Sequence, residues 1–240
     1  EVAFYAVNKF SWNILYASPS LQIDHDLLEV AIIKEPTLLK QLSNHIKNDL
    51  SFAKRLLLKE LDIKNNLSNP YVSTSSAQIN FFNNLHMNRA PQSCAFQFFD
   101  KHVRNHAEVS SIALQIDFKN FQFIGHYLRE NLDFSLNSLY INPACYYFFS
   151  NDIKENQQIC DTLLSIQGDF IDVIPSSNLN EYNIIQAIKN NSTSMFFIPQ
   201  EFRFNKNICL VAVSLNSIYL GELPFEMQND FDVCSKALFT

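Results

Sequence analysis

Glycine is scarce in this chain, which has only three glycines among 240 residues. Tight turns, hairpins and phosphate-binding loops depend on glycine, because it enters the left-handed backbone region without a steric penalty. The sequence therefore disfavours hairpin-rich sheets and P-loop folds, and any left-handed corner would have to be filled by Asn or Asp. Helices joined by Asn-rich corners fit this composition better.

Basic clusters and long apolar runs are also missing. The 18 Lys and Arg residues against 24 Asp and Glu residues give a formal net charge of −6. This balance disfavours binding to nucleic acid or to anionic membranes, since both need clustered Lys and Arg. No segment reaches the roughly 18 consecutive apolar residues of a membrane span, and the first residues show no signal-peptide pattern. We therefore expect a protein partner, no nucleic acid and no membrane span.

The cysteine content indicates a reducing compartment, such as the cytoplasm. Five cysteines, an odd number without a C-x-x-C pair, are typical of free thiols rather than of a disulfide framework. Hydrophobic residues make up 47% of the chain, which is enough for a large core in one extended domain or two compact ones.

A repeat of about 25 residues runs through the sequence. Its anchor is an Asn or Asp, a preferred helix N-cap because the side-chain oxygen accepts a hydrogen bond from the first turn. Apolar residues four and eight positions later share one helix face, and Ala recurs at position +7, where it lets a neighbouring helix approach. The anchors are Asp24, Asn48, Asn105, Asn131, Asn156, Asn180, Asn205 and Asp230.

A second apolar segment follows each capped helix, as in "ACYYFF" and "SMFFI". Pro36 and Pro143 suit the first turn of a second helix, whereas Pro175, Pro199 and Pro224 lie where a helix should end. Each repeat is thus predicted to be a hairpin of two short helices that stacks on its neighbours. The aromatic runs are interpreted as core residues, because no basic residues alternate with them.

These patterns predict an all-α fold, a solenoid of short helical hairpin repeats with one irregular unit. A leucine-rich repeat has a similar period but needs an alternating Leu-x-Leu strand before the Asn, which the sequence does not supply. We expect helical repeats in residues 1–59, an irregular unit or insertion in 60–104, and helical repeats in 105–240. A degenerate repeat capped by Ser73 would account for part of the 57-residue interval between Asn48 and Asn105.

The irregular segment carries the candidate interface. Aromatic, Met and Arg residues are enriched at protein interfaces, and stacked repeats form extended binding grooves. The sequence therefore predicts a noncatalytic protein–protein interaction module. Its predicted partner-binding residues are Phe82, Met87, Arg89, Phe96, Phe98 and Phe99.

Two alternatives remain open. One is an enzyme or regulatory domain in which Cys94 pairs with His86 or His102 as a nucleophile, although a buried, inert thiol is the simpler interpretation. The other is a structural arm of a larger protein. His102 and His106 have the i, i+4 spacing of two metal ligands, but they lie on either side of a predicted corner. We predict no metal site, no catalytic residues and no cofactor.

The stretch "ILYASPSLQIDHDLLEVAII" resembles an uncharacterised family of short tandem two-helix repeats, catalogued as a domain of unknown function, with the pattern A-L-x-Y-A-S-x-x-L-x-x-D-x-E-x-V-x-x-A-V. Residues 12–34 match this pattern, residues 150–238 match it more loosely, and residues 60–104 do not match. The family occurs largely in effector-like proteins of amoeba-dwelling intracellular bacteria and in large viruses of amoebae. The resemblance implies a secreted effector, translocated into a host cell and bound there to a host protein. It offers no catalytic residues to transfer.

Overall fold

Helices of three kinds alternate in the computed structural model, which describes residues 1–68 and 94–239. Every regular element in these residues is an α-helix or a 3-10 helix, which confirms the all-α prediction. The long helices are Val2–Lys9, His25–Lys34, Leu50–Ser68, Ala107–Ile116, Leu132–Ile141, Gln157–Ile166, Glu181–Asn190, Lys206–Leu215 and Phe231–Leu238.

In the described residues a 3-10 helix comes after each of the first eight long helices, and a short helical turn completes the repeat. The 3-10 helices are Ser11–Tyr16, Pro36–Gln41, Ala95–Phe98, Phe118–Phe123, Pro143–Phe148, Gly168–Asp172, Ser192–Phe197 and Ser217–Glu222. The short turns are Leu21–Ile23, Asn44–Lys47, Lys101–Arg104, His126–Arg129, Asn151–Lys154, Ser176–Asn178, Gln200–Phe204 and Phe225–Gln228.

The prediction of a single second helix in each repeat is therefore wrong, because the chain divides that segment into two short elements. Pro36 and Pro143 begin 3-10 helices, as expected for prolines in a first turn. Pro175, Pro199 and Pro224 are the residues just before the next short turn. Proline interrupts a helix at these points because it lacks the backbone N–H that continues the hydrogen-bond pattern.

Six of the eight predicted anchors cap a long helix. The side-chain oxygens of Asp24, Asn131, Asn156, Asn180, Asn205 and Asp230 each accept a hydrogen bond from a backbone N–H in the first turn. The predictions of Asn48 and Asn105 are wrong by one residue. Asp49 caps the helix Leu50–Ser68 by accepting from the Phe52 N–H at 2.9 Å, and His106 is the residue before Ala107–Ile116.

The corrected anchors make the repeat more regular. Its starts are now 25 residues apart, except for 24 between Asn156 and Asn180 and 57 between Asp49 and His106. Ala113 then joins Ala31, Ala187 and Ala212 at position +7, and all four side chains are fully buried. A small side chain at this position lets successive helices pack closely.

Asparagine at the described corners caps helices and does not adopt a left-handed backbone conformation. None of the residues in the two described ranges has a positive φ, so the corners expected to need Asn or Asp at φ > 0 do not exist there. A second cap recurs eleven positions after the anchor. At this position Asp117, Asn142, Asn191 and Asn216 each accept a hydrogen bond from the N–H two residues later, at the start of a 3-10 helix.

The chain forms two compact units, Glu1–Phe134 (unit 1) and Ser135–Thr240 (unit 2), and the division falls within the helix Leu132–Ile141. In unit 2 the helix Gln157–Ile166 packs on Glu181–Asn190, which packs on Lys206–Leu215. Long helices of successive repeats are thus direct neighbours. The predicted boundaries at residues 59 and 104 and the solenoid arrangement stay predictions.

The long helices on either side of the 57-residue interval in unit 1 are direct neighbours. The helix Leu50–Ser68 packs on Ala107–Ile116, and Lys64 Nζ donates to the carbonyl of Gln115 at 2.9 Å. The degenerate repeat proposed at Ser73 lies outside the described residues.

Candidate binding surface on the 3-10 helices of unit 2

Each 3-10 helix buries some of its positions and presents others to solvent. Counted from the anchor, positions +14, +15 and +18 are buried, as with Leu38, Leu39 and Leu42 in unit 1 and Phe170, Ile171 and Ile174 in unit 2. Positions +16 and +17 face outward, because a 3-10 helix has three residues per turn and so turns successive residues to different sides.

The outward positions carry polar and apolar side chains in both units. In unit 1 they hold Lys40, Gln41 and Gln122 but also Phe123. Tyr16, which ends the first 3-10 helix, is 88% exposed.

In unit 2 polar residues or glycine occupy three of the outward positions, and the others carry large apolar side chains. The three are Asp172, Gly221 and Glu222. Tyr147 is 57% exposed, Val173 36%, Phe196 49% and Phe197 53%. Ile218, at the start of the next 3-10 helix, is 71% exposed.

These side chains lie on neighbouring 3-10 helices. The rings of Tyr147 and Phe170 have centroids 5.4 Å apart, and those of Phe196 and Tyr219 are 5.5 Å apart. The Asn191 amide donates to Asp169 between the two middle helices, and the hydroxyls of Tyr219 and Ser192 are 3.2 Å apart. The exposed residues form what we call the apolar row: Tyr147, Val173, Phe196, Phe197 and Ile218.

A recurring side chain fixes the end of five of the 3-10 helices. It lies two residues before the next anchor and donates hydrogen bonds back to the last carbonyls of the 3-10 helix, whose acceptors have no partner within the helix. Arg203 donates to the carbonyls of Phe196 and Ile198 at 2.9 and 3.0 Å. Gln22, Arg104, Lys154 and Gln228 make the corresponding bonds in their repeats.

The core beneath the row contains polar groups that stay neutral. Burial raises the pKa of Tyr146 to about 12 and that of Cys160 to about 11. Burial likewise raises the pKa of Cys209 to about 11. The thiols of Cys160, Cys209 and Cys234 donate to carbonyls six residues earlier, at 3.2, 3.1 and 2.8 Å. These cysteines therefore serve as small core residues, and all five in the chain are free.

An open cleft borders the end of the row near Phe197. Its volume is about 390 Å³, and it lies where the 3-10 helices Ser192–Phe197 and Ser217–Glu222 end. Its lining includes one acidic and one basic side chain, Glu222 and Arg203. The lining residues are Ile198, Gln200, Arg203, Glu222, Leu223 and Pro224.

The predicted interface residues have different environments. Phe96 and Phe99 are buried, at 0% and 2% exposure, so they belong to the core of unit 1. Phe98 is half-buried, and the Lys40 ammonium lies 4.7 Å from its ring centroid. Phe82, Met87 and Arg89 lie outside the described residues, and an interface around them stays a prediction.

The proposed Cys–His pair has a different geometry in the described residues. The Cys94 thiol is buried and donates to the carboxylate of Glu60 at 3.1 Å. His102 is exposed on the short helix Lys101–Arg104, and His86 lies outside the described residues. His102 and His106 do straddle a helix corner. Within residues 1–68 and 94–239, no three His, Cys, Asp or Glu side chains converge as metal ligands would.

The aromatic runs were only partly core, and this is where the sequence interpretation missed the apolar row. Met195 is fully buried, but the two phenylalanines that follow it are about half exposed. The repeat held a signal that could have found them. Lys40 and Gln41 occupy the same positions in unit 1, so the core does not require aromatic side chains there.

Comparison with known proteins gives one match. Residues 183–228 match the model of a domain of unknown function, DUF4116. The match begins three residues after the N-cap Asn180 and ends two residues before the N-cap Asp230, so it covers parts of two successive repeats. No curated protein and no solved structure matches the chain. Among the described helices, none is long and apolar enough to cross a membrane.

Proposed function

We propose that the chain is a noncatalytic protein–protein interaction module and that the apolar row of unit 2 is its contact surface. The observation that carries this proposal is the exposure of large apolar side chains on neighbouring 3-10 helices of unit 2. The core does not require them, since Lys40 and Gln41 occupy the same positions in unit 1 and Asp172 occupies one in unit 2. Unit 2 exposes aromatic and aliphatic side chains on adjacent helices, and contiguous apolar surface of this kind marks interaction sites.

The row is also held rigidly. Lys154 and Arg203 fix the ends of the 3-10 helices that carry Tyr147 and Phe196. Both of these rings also pack against rings of the next repeat. Side chains that are already ordered lose less conformational entropy when a partner binds. A preformed row therefore favours binding without rearrangement of the backbone.

The setting of the module is proposed from the sequence alone. The resemblance of residues 12–34 to repeats of amoeba-associated bacteria and viruses supports an effector that acts inside a host cell. Five free thiols fit a reducing compartment of that kind. The partner would then be a host protein.

Site-specific photo-crosslinking tests the proposal. A benzophenone amino acid replaces Phe197 in the row, and a second protein carries it at Tyr182, which is 62% exposed on the long helix Glu181–Asn190. Both proteins are irradiated in a lysate of amoebal cells, and the adducts are identified by mass spectrometry. We expect a defined adduct from position 197 that position 182 does not give.

A competition step distinguishes specific binding from nonspecific binding to exposed apolar surface. Excess unlabelled wild-type protein should suppress the adduct at position 197, and the Phe196→Gln/Phe197→Gln variant should not. The Gln residues copy the side chains that unit 1 carries at the same register. Equal adducts at positions 197 and 182, or equal competition by the variant, would refute the row as the contact surface.

A further inference from the structure

We infer that the segment that binds the apolar row is a cationic amphipathic stretch of a partner protein, in which Lys or Arg residues accompany apolar ones. This inference rests on the proposed function and goes beyond it by naming the chemistry of the partner. The distribution of charge over the two units and beside the row supports this inference.

All of the net charge of the chain belongs to unit 2. Unit 1 has 13 basic and 13 acidic residues, whereas unit 2 has five basic and eleven acidic residues. The −6 of the whole chain is therefore carried by the unit that presents the apolar row. A potential of one sign over a binding surface attracts partners of the opposite sign and speeds their association.

Lys154, Arg203 and Lys206 of unit 2 are held by groups of the unit itself. Lys154 donates to the carbonyl of Tyr147 at 3.3 Å, and its ammonium lies 5.6 Å from the Tyr146 ring centroid. Arg203 is bound to the carbonyls of Phe196 and Ile198. Lys206 forms ion pairs with Asp230 and Asp232 at 2.9 and 2.6 Å.

Exposed carboxylates accompany the row along the chain. Asp172 directly precedes Val173, Glu222 ends the 3-10 helix that begins beside Ile218, and Glu201 belongs to the short turn after Phe197. All three are exposed. Apolar side chains with carboxylates beside them complement a segment that has apolar residues and positive charges.

The same charges argue against other occupants. Two copies of unit 2 that met row to row would bring together two units that each carry a net charge of −6, and like charges at an interface cost free energy. An anionic membrane would be repelled for the same reason. A cationic protein segment removes apolar surface from water and pairs the carboxylates as well.

Selection from a display library of random short peptides on the immobilised full-length protein tests this inference. We expect the enriched peptides to combine aromatic or aliphatic residues with Lys or Arg, and to bind more weakly as salt screens the charges. The Asp172→Asn/Glu222→Gln variant should bind them about two-fold to thirty-fold more weakly, the range for two exposed ion pairs. Asp62→Asn/Asp133→Asn, which removes two exposed charges from unit 1, should leave the affinity unchanged.

The outcomes separate this inference from the proposed function. Enriched peptides that are apolar without a positive charge, and that fail to bind Phe196→Gln/Phe197→Gln, would overturn the cationic partner and leave the contact surface standing. Peptides that bind this row variant as well as the wild type would overturn both. A selection that enriches no peptide would also refute both, since a preformed row should bind short segments. Equal weakening by the unit 1 control variant would show that only net charge matters and would overturn the row-specific pairing.

Discussion

Gly168 offers a sharp test of how closely the repeats of unit 2 pack. A Cβ added at this residue would lie 2.3 Å from the carbonyl oxygen of Ala187 and 2.7 Å from the Ser194 hydroxyl oxygen. Ala187 O also accepts the hydrogen bond from the N–H of Asn191 at 2.8 Å, which holds the carbonyl in place. The Gly168→Ala variant must therefore push the two repeats apart by about 1 Å, since ordinary contacts between non-bonded carbon and oxygen need about 3.4 Å or more.

The cost follows from the contacts that this shift disturbs. Overpacking costs about 1–3 kcal/mol, and the loss of the bond from Gly168 N–H to Asn190, now 3.0 Å long, adds about 0.5–1.5 kcal/mol. The lower conformational entropy of the unfolded chain offsets about 0.4–1 kcal/mol of this destabilisation. We expect Gly168→Ala to lower the free energy of unfolding by about 0.5–4 kcal/mol, from these combined terms.

Gly221 is the matched control, because a Cβ there meets no atom within 4 Å. Gly221→Ala should leave stability unchanged or raise it by up to about 1 kcal/mol. Urea unfolding of both variants, followed by circular dichroism, measures the difference. Equal midpoints for Gly168→Ala and Gly221→Ala would refute the close packing of successive repeats at this position.

Three further predictions concern the caps, the ion pairs and the thiols. Asn156→Ala removes the cap that accepts hydrogen bonds from the N–H groups of Gln158 and Ile159, and should lower the free energy of unfolding by about 1 kcal/mol. In the same urea assay Asn151→Ala, at an exposed residue, should stay within about 0.5 kcal/mol of wild type. The hydrogen bond from Lys206 lowers the pKa of Asp230 below its ordinary value. The pair therefore stabilises the fold above the ordinary pKa of an aspartate, and this stabilisation is lost as the pH falls through the lowered pKa of the folded protein. Lys206→Met should lose less stability on acidification than wild type, and equal acid sensitivity of the two proteins would contradict the pairing. Burial raises the pKa of Cys160 and Cys209 to about 11, and the thiolate is the reactive form. Iodoacetamide should therefore alkylate half-buried Cys234 before either of them. Mass spectrometry that finds Cys160 modified as fast as Cys234 would contradict this order.

The long helices were predictable because their signals are local. An Asn or Asp cap such as Asn180, followed by apolar residues on one face, defines a helix start without reference to the rest of the chain. The two errors arose where this signal is ambiguous. Asn48 and Asp49 are adjacent and both are good caps, so only packing decides between them. His106 is a poor cap, so propensity favoured Asn105 although the core selects the next residue.

The three-element form of the repeat could not be read from apolar content alone. A segment such as "SMFFIPQEFRF" is apolar enough for one helix, but Pro199 interrupts it and Asn191 caps a 3-10 helix at its start. The recurring Asn at position +11 was a signal of this second start. The register of the apolar row depends on it, because burial at positions +14, +15 and +18 leaves Phe196 and Phe197 outward only in a 3-10 helix.

The candidate surface was harder to predict than the fold for a physical reason. Aromatic side chains fill cores and form interfaces with equal ease, so composition does not separate the two roles. Phe96 and Phe99 were predicted at an interface and are buried, whereas Phe196 and Phe197 were predicted in the core and are exposed. Only the packing of one repeat on the next distinguishes these pairs.

The most direct test of the central claim, that the apolar row of unit 2 binds a partner segment, is a nuclear magnetic resonance titration of the aromatic side chains. A peptide from the selection is added to protein in which the Phe and Tyr rings are labelled. We expect the signals of Tyr147, Phe196 and Phe197 to shift in a saturable manner, while those of the exposed Tyr182 and Phe231 do not. Shifts confined to Phe231 or to rings of unit 1, with Phe196 and Phe197 unchanged, would contradict binding at the apolar row.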